Sequence, residues 1–404
     1  MGAQVVVVGS GYAGAGTVTA FEDAIRDDEA ELTWISDREY HLVLHEVHRV
    51  VRDPDVASKI TIPVSEIKSD ATDFIQGRVT DIDTDDRTIA LDDDREVSYD
   101  YLLVGIGSET AFYGIDGLEE HSLTLKGLED ARQIHREVTA AGKTATRSEP
   151  ARIVVGGAGL SGIQTAGEIA TYRDEMQLPI EVTLVEGLDE VFPGKDPAVQ
   201  QALRDRLEAL DVEIRTGKFV SQVDDGEIRL NGPVPEEPTV RFDGTNPDEV
   251  TLPYDVLVWT GGITGQELVA DVNVEQDDRS RRVYAESDFR TSDDRVFAIG
   301  DAALVDQGDR EFAPPTAQAA WQAAEVAGEN LARAVRGEPL KTWKHTDKGT
   351  VVSVGETAVA HNVQGVPVST FGGLPAKVLK KAIAARWIYT VSSAKRSVDA
   401  WPDM

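Results

Sequence analysis

Two hexapeptides in this sequence, Gly9-Ser10-Gly11-Tyr12-Ala13-Gly14 and Gly157-Ala158-Gly159-Leu160-Ser161-Gly162, repeat one spacing of glycines. Each stands directly after a β-branched run, Val5 to Val8 and Ile153 to Val155, and directly before a stretch of helical character. That context gives the spacing a mechanism. The first glycine (Gly9, Gly157) permits a tight turn, and the second (Gly11, Gly159) lets the backbone approach a pyrophosphate. The third (Gly14, Gly162) lets helix and strand pack closely. The helix N-terminus then offers free N–H groups and a positive dipole end to the diphosphate. A single copy arises easily by chance; two copies in the same context predict two dinucleotide sites.

A carboxylate at the end of the second strand of each unit would complete such a site. In the second unit, Thr183-Leu184-Val185-Glu186 places Glu186 where it accepts from a ribose 2′-OH and repels a 2′-phosphate, so NADH is expected rather than NADPH. In the first unit Ser36 holds the equivalent position, and Asp37, one residue later, is the candidate for the ribose.

The elements that must position these groups alternate as strand and helix. Val5 to Val8, a small-residue helix through Phe21, and Glu31 to Ile35 form one βαβ unit; Ile153 to Val155, Gly157 to Ala170, and Glu181 to Val185 form another. Two such units predict an α/β chain with two doubly wound, Rossmann-like domains. The stretch Val220 to Tyr254 reads as an acidic β-hairpin elaboration, with Ile228, Leu230, Val240 and Phe242 alternating. Arg295 to Ile299 reads as a buried strand ending in the glycine turn Gly300-Asp301, followed by a helix from about Thr316 to Val335.

Composition narrows the chemistry. The 404 residues carry 72 acids against 40 bases, a formal net charge of −32, with the acids dispersed along the chain. In molar salt the Debye length shrinks to roughly 3 Å and such a surface becomes tolerable. The chain therefore reads as salt-adapted, and nucleic acid is excluded as a partner. With no cysteine anywhere, a dithiol pair, a persulfide carrier, an iron–sulfur cluster and a thiolate zinc site are all excluded, so redox chemistry must run through a bound cofactor. No signal peptide is expected, since a strand begins at Gln4, and no apolar run is long enough to span a membrane. His41, His45 and His48 have helical spacing, yet nothing completes a recognised ligand set, so no metal is assigned.

On these motifs the sequence resembles the pyridine nucleotide-disulfide oxidoreductase superfamily, in which an FAD and an NAD domain are interleaved. More closely, it is similar to type II NADH dehydrogenases, the non-pumping NADH:quinone oxidoreductases. Further matching segments are Tyr40-His41, the outgoing linker Tyr101 to Thr110, the return linker Val258-Trp259-Thr260-Gly261-Gly262, and Pro314 to Gln322. The resemblance implies FAD on Gly9, Gly11, Gly14, Asp37, Thr110, Gly300, Asp301 and Ala317, with the Asp301 carboxylate on the ribityl chain. It implies NADH on Gly157, Gly159, Gly162, Glu186 and Gly262, and a quinone near Gln318 and Gln322, which lie at i and i+4 on one helix face. Where the family carries Gly-x-Glu after the second turn, this chain has Gly162-Ile163-Gln164. Gln164 cannot carry a proton, and Glu168, one turn on, remains acidic. The implied domains are 1–112 with 286–340 for FAD, 113–285 for NAD(H), and a small C-terminal α+β segment, 341–404, for membrane docking or dimerisation.

The tail reverses the charge of the chain: from Thr357 to Val398 there is no acid, while Lys377, Lys380, Lys381, Arg386, Lys395 and Arg396 add six positive charges. Leu379, Ile383, Trp387 and Val391 recur every four residues as an apolar stripe. Lys380 and Lys381 are placed to snorkel, and Trp387 and Tyr389 suit an interface. The segment also resembles the family's C-terminal membrane-docking helices, and that resemblance implies peripheral attachment through 374–396 to the cytoplasmic face of the cell membrane. Packing on the protein's own core or on a second copy fits the same pattern. The function expected is electron transfer from NADH through flavin to a membrane quinone. A reductase of a soluble carrier such as a ferredoxin, or of oxygen, and an NADH-responsive flavoprotein scaffold remain open alternatives.

Overall fold

A computed structural model describes residues 2–26, 28–232 and 249–403. Its centre is two parallel sheets. The first has the strand order Val296–Ala298, Tyr101–Val104, Ala3–Val8, Ala30–Ser36, Thr72–Gln76, all parallel. The second runs Val212–Arg215, Ile180–Val185, Ala151–Gly156, Val256–Trp259, again all parallel. Parallel strands are buried on both faces, which is why both read as near-continuous Val, Ile and Leu runs. Val5, Val7, Ile153 and Val155 are fully buried.

The chain leaves the first sheet, completes the second, and returns to place Val296–Ala298 beside Tyr101–Val104. The two connecting segments meet where Ser108–Thr110 pairs antiparallel with Ile263–Gly265. The helix Tyr12–Ala24 packs on the later helix Ala317–Val335 at very close range. A Cβ on Gly16 would sit 2.7 Å from Ala324 Cβ, and one on Gly328 would sit 2.6 Å from Ala20 Cβ. The run of small residues after Thr316 is therefore a packing requirement, and Thr316 itself caps that helix by accepting from Ala319 N–H.

The acidic elaboration is a three-stranded antiparallel sheet of Phe219–Asp224, Glu227–Asn231 and Val250–Pro253. Ile228 and Leu230 are buried in it, while Val240 and Phe242 lie outside the described residues. The C-terminal part contains a three-stranded antiparallel sheet (Thr350–Val354, Thr357–His361, Thr370–Gly372) and the helices Leu374–Val391 and Ala394–Ala400. Among the described residues no helix is long and apolar enough to cross a membrane.

The tail helix corrects two expectations about its faces. Trp387 and Val391 are buried and Leu379 is partly buried, so three of the four stripe residues pack on the protein's own core, while Ile383 is 39% exposed. Lys380 is buried as well and does not reach headgroups. Four-residue periodicity identifies a face of a helix and not the direction it points. The apolar residues left exposed are others: Leu374 (73%), Val378 (45%) and Tyr389 (61%), with Ile383 exposed on another side. Much of the basic charge is neutralised inside the chain, where Arg396 pairs with Glu66 and Lys377 with Glu356.

Candidate functional site

The two glycine turns adopt one geometry. Gly11 has φ −74° and ψ −167°, and Gly159 has φ −74° and ψ −169°. Gly9 donates to Ile35 O and Gly157 to Val185 O, both at 2.8 Å, so each turn is tied to the strand beside it. Gly9 and Gly157 have positive φ, and a Cβ on Gly14 or Gly162 would collide with the carbonyl oxygen of Gly9 or Gly157. At Gly11 and Gly159 the situation is the opposite, since an added Cβ would meet nothing within 4 Å. These two positions are bare backbone facing open space. Neither following helix, Tyr12–Ala24 nor Leu160–Met176, has a side chain capping its first N–H groups. A bare cradle with uncapped donors fits a pyrophosphate at both turns.

The strand ends differ as the sequence predicts. Glu186 accepts from Ala158 N–H at 2.7 Å and from Leu188 N–H at 2.9 Å, which fixes its carboxylate across the second turn. At the first turn Ser36 donates to Ser10 Oγ at 2.8 Å. Asp37 lies beside it, half-exposed and 3.7 Å from the Arg38 guanidinium. Asp301 follows the positive-φ Gly300 and accepts from Ser108 Oγ at 3.3 Å. Lys126, in which the sequence carries no readable signal, donates to Ser108 Oγ at 2.8 Å. Burial lowers its pKa, and the Asp301 carboxylate opposes that shift. Thr110 is buried in the outgoing linker, whose next residue, Ala111, donates to Gly262 O at 3.1 Å.

Gln318 and Gln322 both point at the segment 346–349. Gln318 donates to Gly349 O and accepts from Lys348 N–H; Gln322 donates to Thr346 O and accepts from Thr346 N–H. Each amide is thus paired twice with backbone, and together they fasten this strap to the helix. Between the pair, Trp321 lies 4.7 Å from Trp387 in edge contact, and Trp387 lies 4.6 Å from Tyr12. Trp387 donates to His41 Nε2 at 2.8 Å, and His41 donates from Nδ1 to Ser10 O at 2.8 Å. The tautomer is fixed by these partners, and burial lowers the His41 pKa to about 4. The tail helix is therefore hydrogen-bonded, through one neutral imidazole, to the first glycine turn.

Gln164 belongs to a buried polar cluster that joins three parts of the chain. Ser353 Oγ donates to His48 Nε2 at 2.9 Å and accepts from Gln164 at 3.1 Å and Lys380 at 2.6 Å. Lys380 also approaches Glu46 at 3.6 Å. Glu168 lies 2.8 Å from Arg52, which also bonds Glu175 and Glu356. The three histidines that share helical spacing thus have separate partners, since His45 shares a 2.5 Å hydrogen bond with Tyr12. Among the described residues no cluster of metal-ligating side chains forms.

Burial raises the Glu168 carboxyl pKa to about 7, with Arg52 opposing the rise. A raised acid pKa means that the folded state holds its proton more firmly than the unfolded chain. Its contribution to stability therefore falls as pH rises from about 4.5 and levels off above about 7, by up to about 3 kcal/mol. His41 and His48, whose pKa values are lowered by burial, act with the opposite sign and lose stability as pH falls. Denaturation midpoints of wild type and Glu168→Gln across pH 4.5 to 7 isolate the carboxyl. The wild-type advantage is expected to shrink as pH rises; a constant difference would contradict the raised pKa.

Comparison with known proteins bears on the family and the fold. Residues 3–324 match the family described as pyridine nucleotide-disulphide oxidoreductase. A type II NADH:quinone oxidoreductase of Staphylococcus aureus is 28% identical over 412 aligned positions, covering 96% of both chains. Among solved structures, NDH2 of Plasmodium falciparum in complex with NADH matches with a TM-score of 0.82 at 14% identity, covering 100% of this chain and 98% of that one. The sulfide:quinone oxidoreductase of Aquifex aeolicus matches with a TM-score of 0.78 at 18% identity, covering 98% and 92%.

Proposed function

The chain belongs to the pyridine nucleotide-disulphide oxidoreductase family, and from that premise we propose that it is an FAD-dependent NADH:quinone oxidoreductase that pumps no protons. The observation that carries this reading is the pair of matching bare cradles, of which the second alone ends in a fixed carboxylate, Glu186. The full-length similarity to a type II NADH:quinone oxidoreductase supports the same choice. The absence of cysteine removes the disulfide and persulfide routes open to other members of this fold.

In this reading residues 1–112 and 286–340 hold FAD, residues 113–285 hold NADH, and 341–404 form the docking segment. The overall conversion takes NADH, one proton and quinone to NAD+ and quinol. Bound FAD would supply the two-electron chemistry that links the two substrates. The protein's part is to bind and orient. Gly9, Gly11 and Gly14 seat the FAD pyrophosphate, Asp37 takes its ribose, and Thr110, Gly300, Asp301 and Ala317 line the rest of its path. Gly157, Gly159 and Gly162 seat the NADH pyrophosphate, Glu186 takes its ribose, and Gly262 leaves room beside the linker. Gln318 and Gln322 stand at the acceptor side, where bonding a quinone carbonyl would require them to exchange a bond to the strap. Gln164 positions Ser353 and His48 and is not a proton donor.

The exposed Leu374, Val378 and Tyr389, spaced by four and eleven residues, share one face of the tail helix and are the proposed membrane contact. Attachment is peripheral, at the cytoplasmic face, and a second copy of the chain is the proposed partner subunit. Purified protein in molar salt should release FAD on denaturation and should oxidise more than one equivalent of NADH per flavin only when quinone is added. It should also sediment with lipid vesicles, and the double variant Leu374→Asp, Val378→Asp should stay in the supernatant while keeping activity with a soluble quinone. NADH oxidation driven by a ferredoxin or by oxygen, and indifferent to quinone, would instead favour a soluble-carrier reductase. Binding of NADH without turnover would favour a sensing scaffold.

A further inference from the structure

Tyr113 sits where the two dinucleotide halves are stitched together. It follows the linker strand Ser108–Thr110, and its phenol donates to Gly261 O at 3.1 Å, in the segment leading into the partner strand Ile263–Gly265. Its backbone is left-handed, with φ +54°. For a bulky aromatic residue that conformation is strained and persists only where the surroundings impose it. Burial does not offset the cost, because Tyr113 is 67% exposed. The opposite strand has adapted to it: Gly262 has φ +154°, and a Cβ there would run into the Tyr113 phenol oxygen.

The position of this ring relative to the second cradle is specific. Glu186 ends the strand on one side of Ala151–Gly156, and Thr260-Gly261-Gly262 leave the strand on its other side. A dinucleotide whose first ribose is held by Glu186 and whose pyrophosphate crosses Gly159 therefore lays its second nucleotide over Thr260 to Gly262. That is where the Tyr113 ring stands. The phenol also senses the cradle electrostatically, since partial burial and then the negative charge of Glu186 raise its pKa. An exposed, strained aromatic beside the nicotinamide half has no evident packing role to account for it.

We propose that Tyr113 is a positioning residue for NADH, whose ring packs against the nicotinamide nucleotide and holds it over the linker crossing. This rests on the NADH reading of the second cradle. Ring packing is worth about 0.5–1.5 kcal/mol, or about two- to twelvefold in affinity. The test measures NAD+ binding to the flavin-loaded protein by calorimetry, alongside the NADH KM, kcat and thermal unfolding, for wild type, Tyr113→Phe and Tyr113→Gly. Tyr113→Gly should weaken NAD+ binding and raise KM by about fivefold, with a smaller change in kcat, while the unfolding temperature holds or rises because glycine accepts the left-handed backbone. Tyr113→Phe should stay within about twofold of wild type in affinity, since it keeps the ring. Unchanged NAD+ affinity in Tyr113→Gly would overturn the proposal, as would an equal loss in Tyr113→Phe, which would assign the effect to the hydroxyl. Wild-type protein that binds no NAD+ would overturn the NADH reading itself, and this proposal with it.

Discussion

Gly159→Ala is expected to yield a yellow, folded protein that NADH no longer bleaches, whereas Gly11→Ala is expected to yield a folded protein without its flavin. The argument rests on what each added methyl would meet. Nothing lies within 4 Å of either Cβ position, and φ near −74° is ordinary for alanine, so the polypeptide has no reason to distort. Only a ligand lying against that backbone would feel the methyl. A clash there should remove several kcal/mol of binding, a loss of about 100-fold or more in affinity or kcat/KM. Gly14→Ala and Gly162→Ala provide the contrast, because there the methyl strikes the Gly9 or Gly157 carbonyl and damages the turn whether or not a ligand is present. Flavin absorbance, circular dichroism and rapid bleaching by NADH separate the four variants. A Gly11→Ala protein that keeps its flavin at wild-type occupancy would remove FAD from the first cradle.

The second large effect is expected at Glu186. Its carboxylate is already oriented by Ala158 and Leu188, so bonding a ribose hydroxyl needs no rearrangement. A charge-assisted hydrogen bond of this type contributes about 1.5–3 kcal/mol, so Glu186→Ala should lose about 10- to 100-fold in kcat/KM with NADH. Activity with NADPH should hold or rise, because removing the acid lifts its repulsion of the 2′-phosphate although it supplies no new partner for that group. Glu186→Gln should fall between, keeping an acceptor but not the charge. Steady-state rates with both nucleotides decide the matter, and wild-type NADH kinetics in Glu186→Ala would contradict the ribose assignment.

The parts legible in the sequence are those where the backbone itself constrains residue type. Gly9, Gly14, Gly157 and Gly162 sit where a Cβ is impossible or strained, so the turns announce themselves without any knowledge of neighbours. The buried parallel strands are equally readable, since burial on both faces demands continuous β-branched residues. The strands Ala3–Val8 and Ile180–Val185 end where expected and begin two residues and one residue earlier than expected. The difference between Glu186 and Ser36 was also visible, because it depends only on position after a strand.

What could not be read depends on contacts between segments far apart in sequence. Trp387 looks like an interfacial residue until His41, 346 positions away, is seen to accept from its indole. Lys380 reads as a solvated cation, yet Glu46, Ser353 and His48 converge on it from elsewhere in the chain. Part of the tail's basic charge meets acids it packs against: Lys380 approaches Glu46 and Arg396 pairs with Glu66 of the body, and Lys377 pairs with Glu356 just before the acid-free run. Gln318 and Gln322 share a helix face as expected, but the backbone of 346–349 that occupies their amides gave no sequence signal. Lys126 and Tyr113 carry no motif, and their partners Ser108 and Gly261 are found only once the two linkers are seen to pair.

The most direct measurement of the central claim is anaerobic stopped-flow absorbance on the purified protein in molar salt, with NADH added first and a soluble quinone second. The account predicts that NADH bleaches the flavin band within seconds and that quinone restores it as fast. A flavin that NADH bleaches but quinone leaves reduced would contradict the assignment of quinone as acceptor, and a flavin that NADH does not bleach would contradict the dehydrogenase reading altogether.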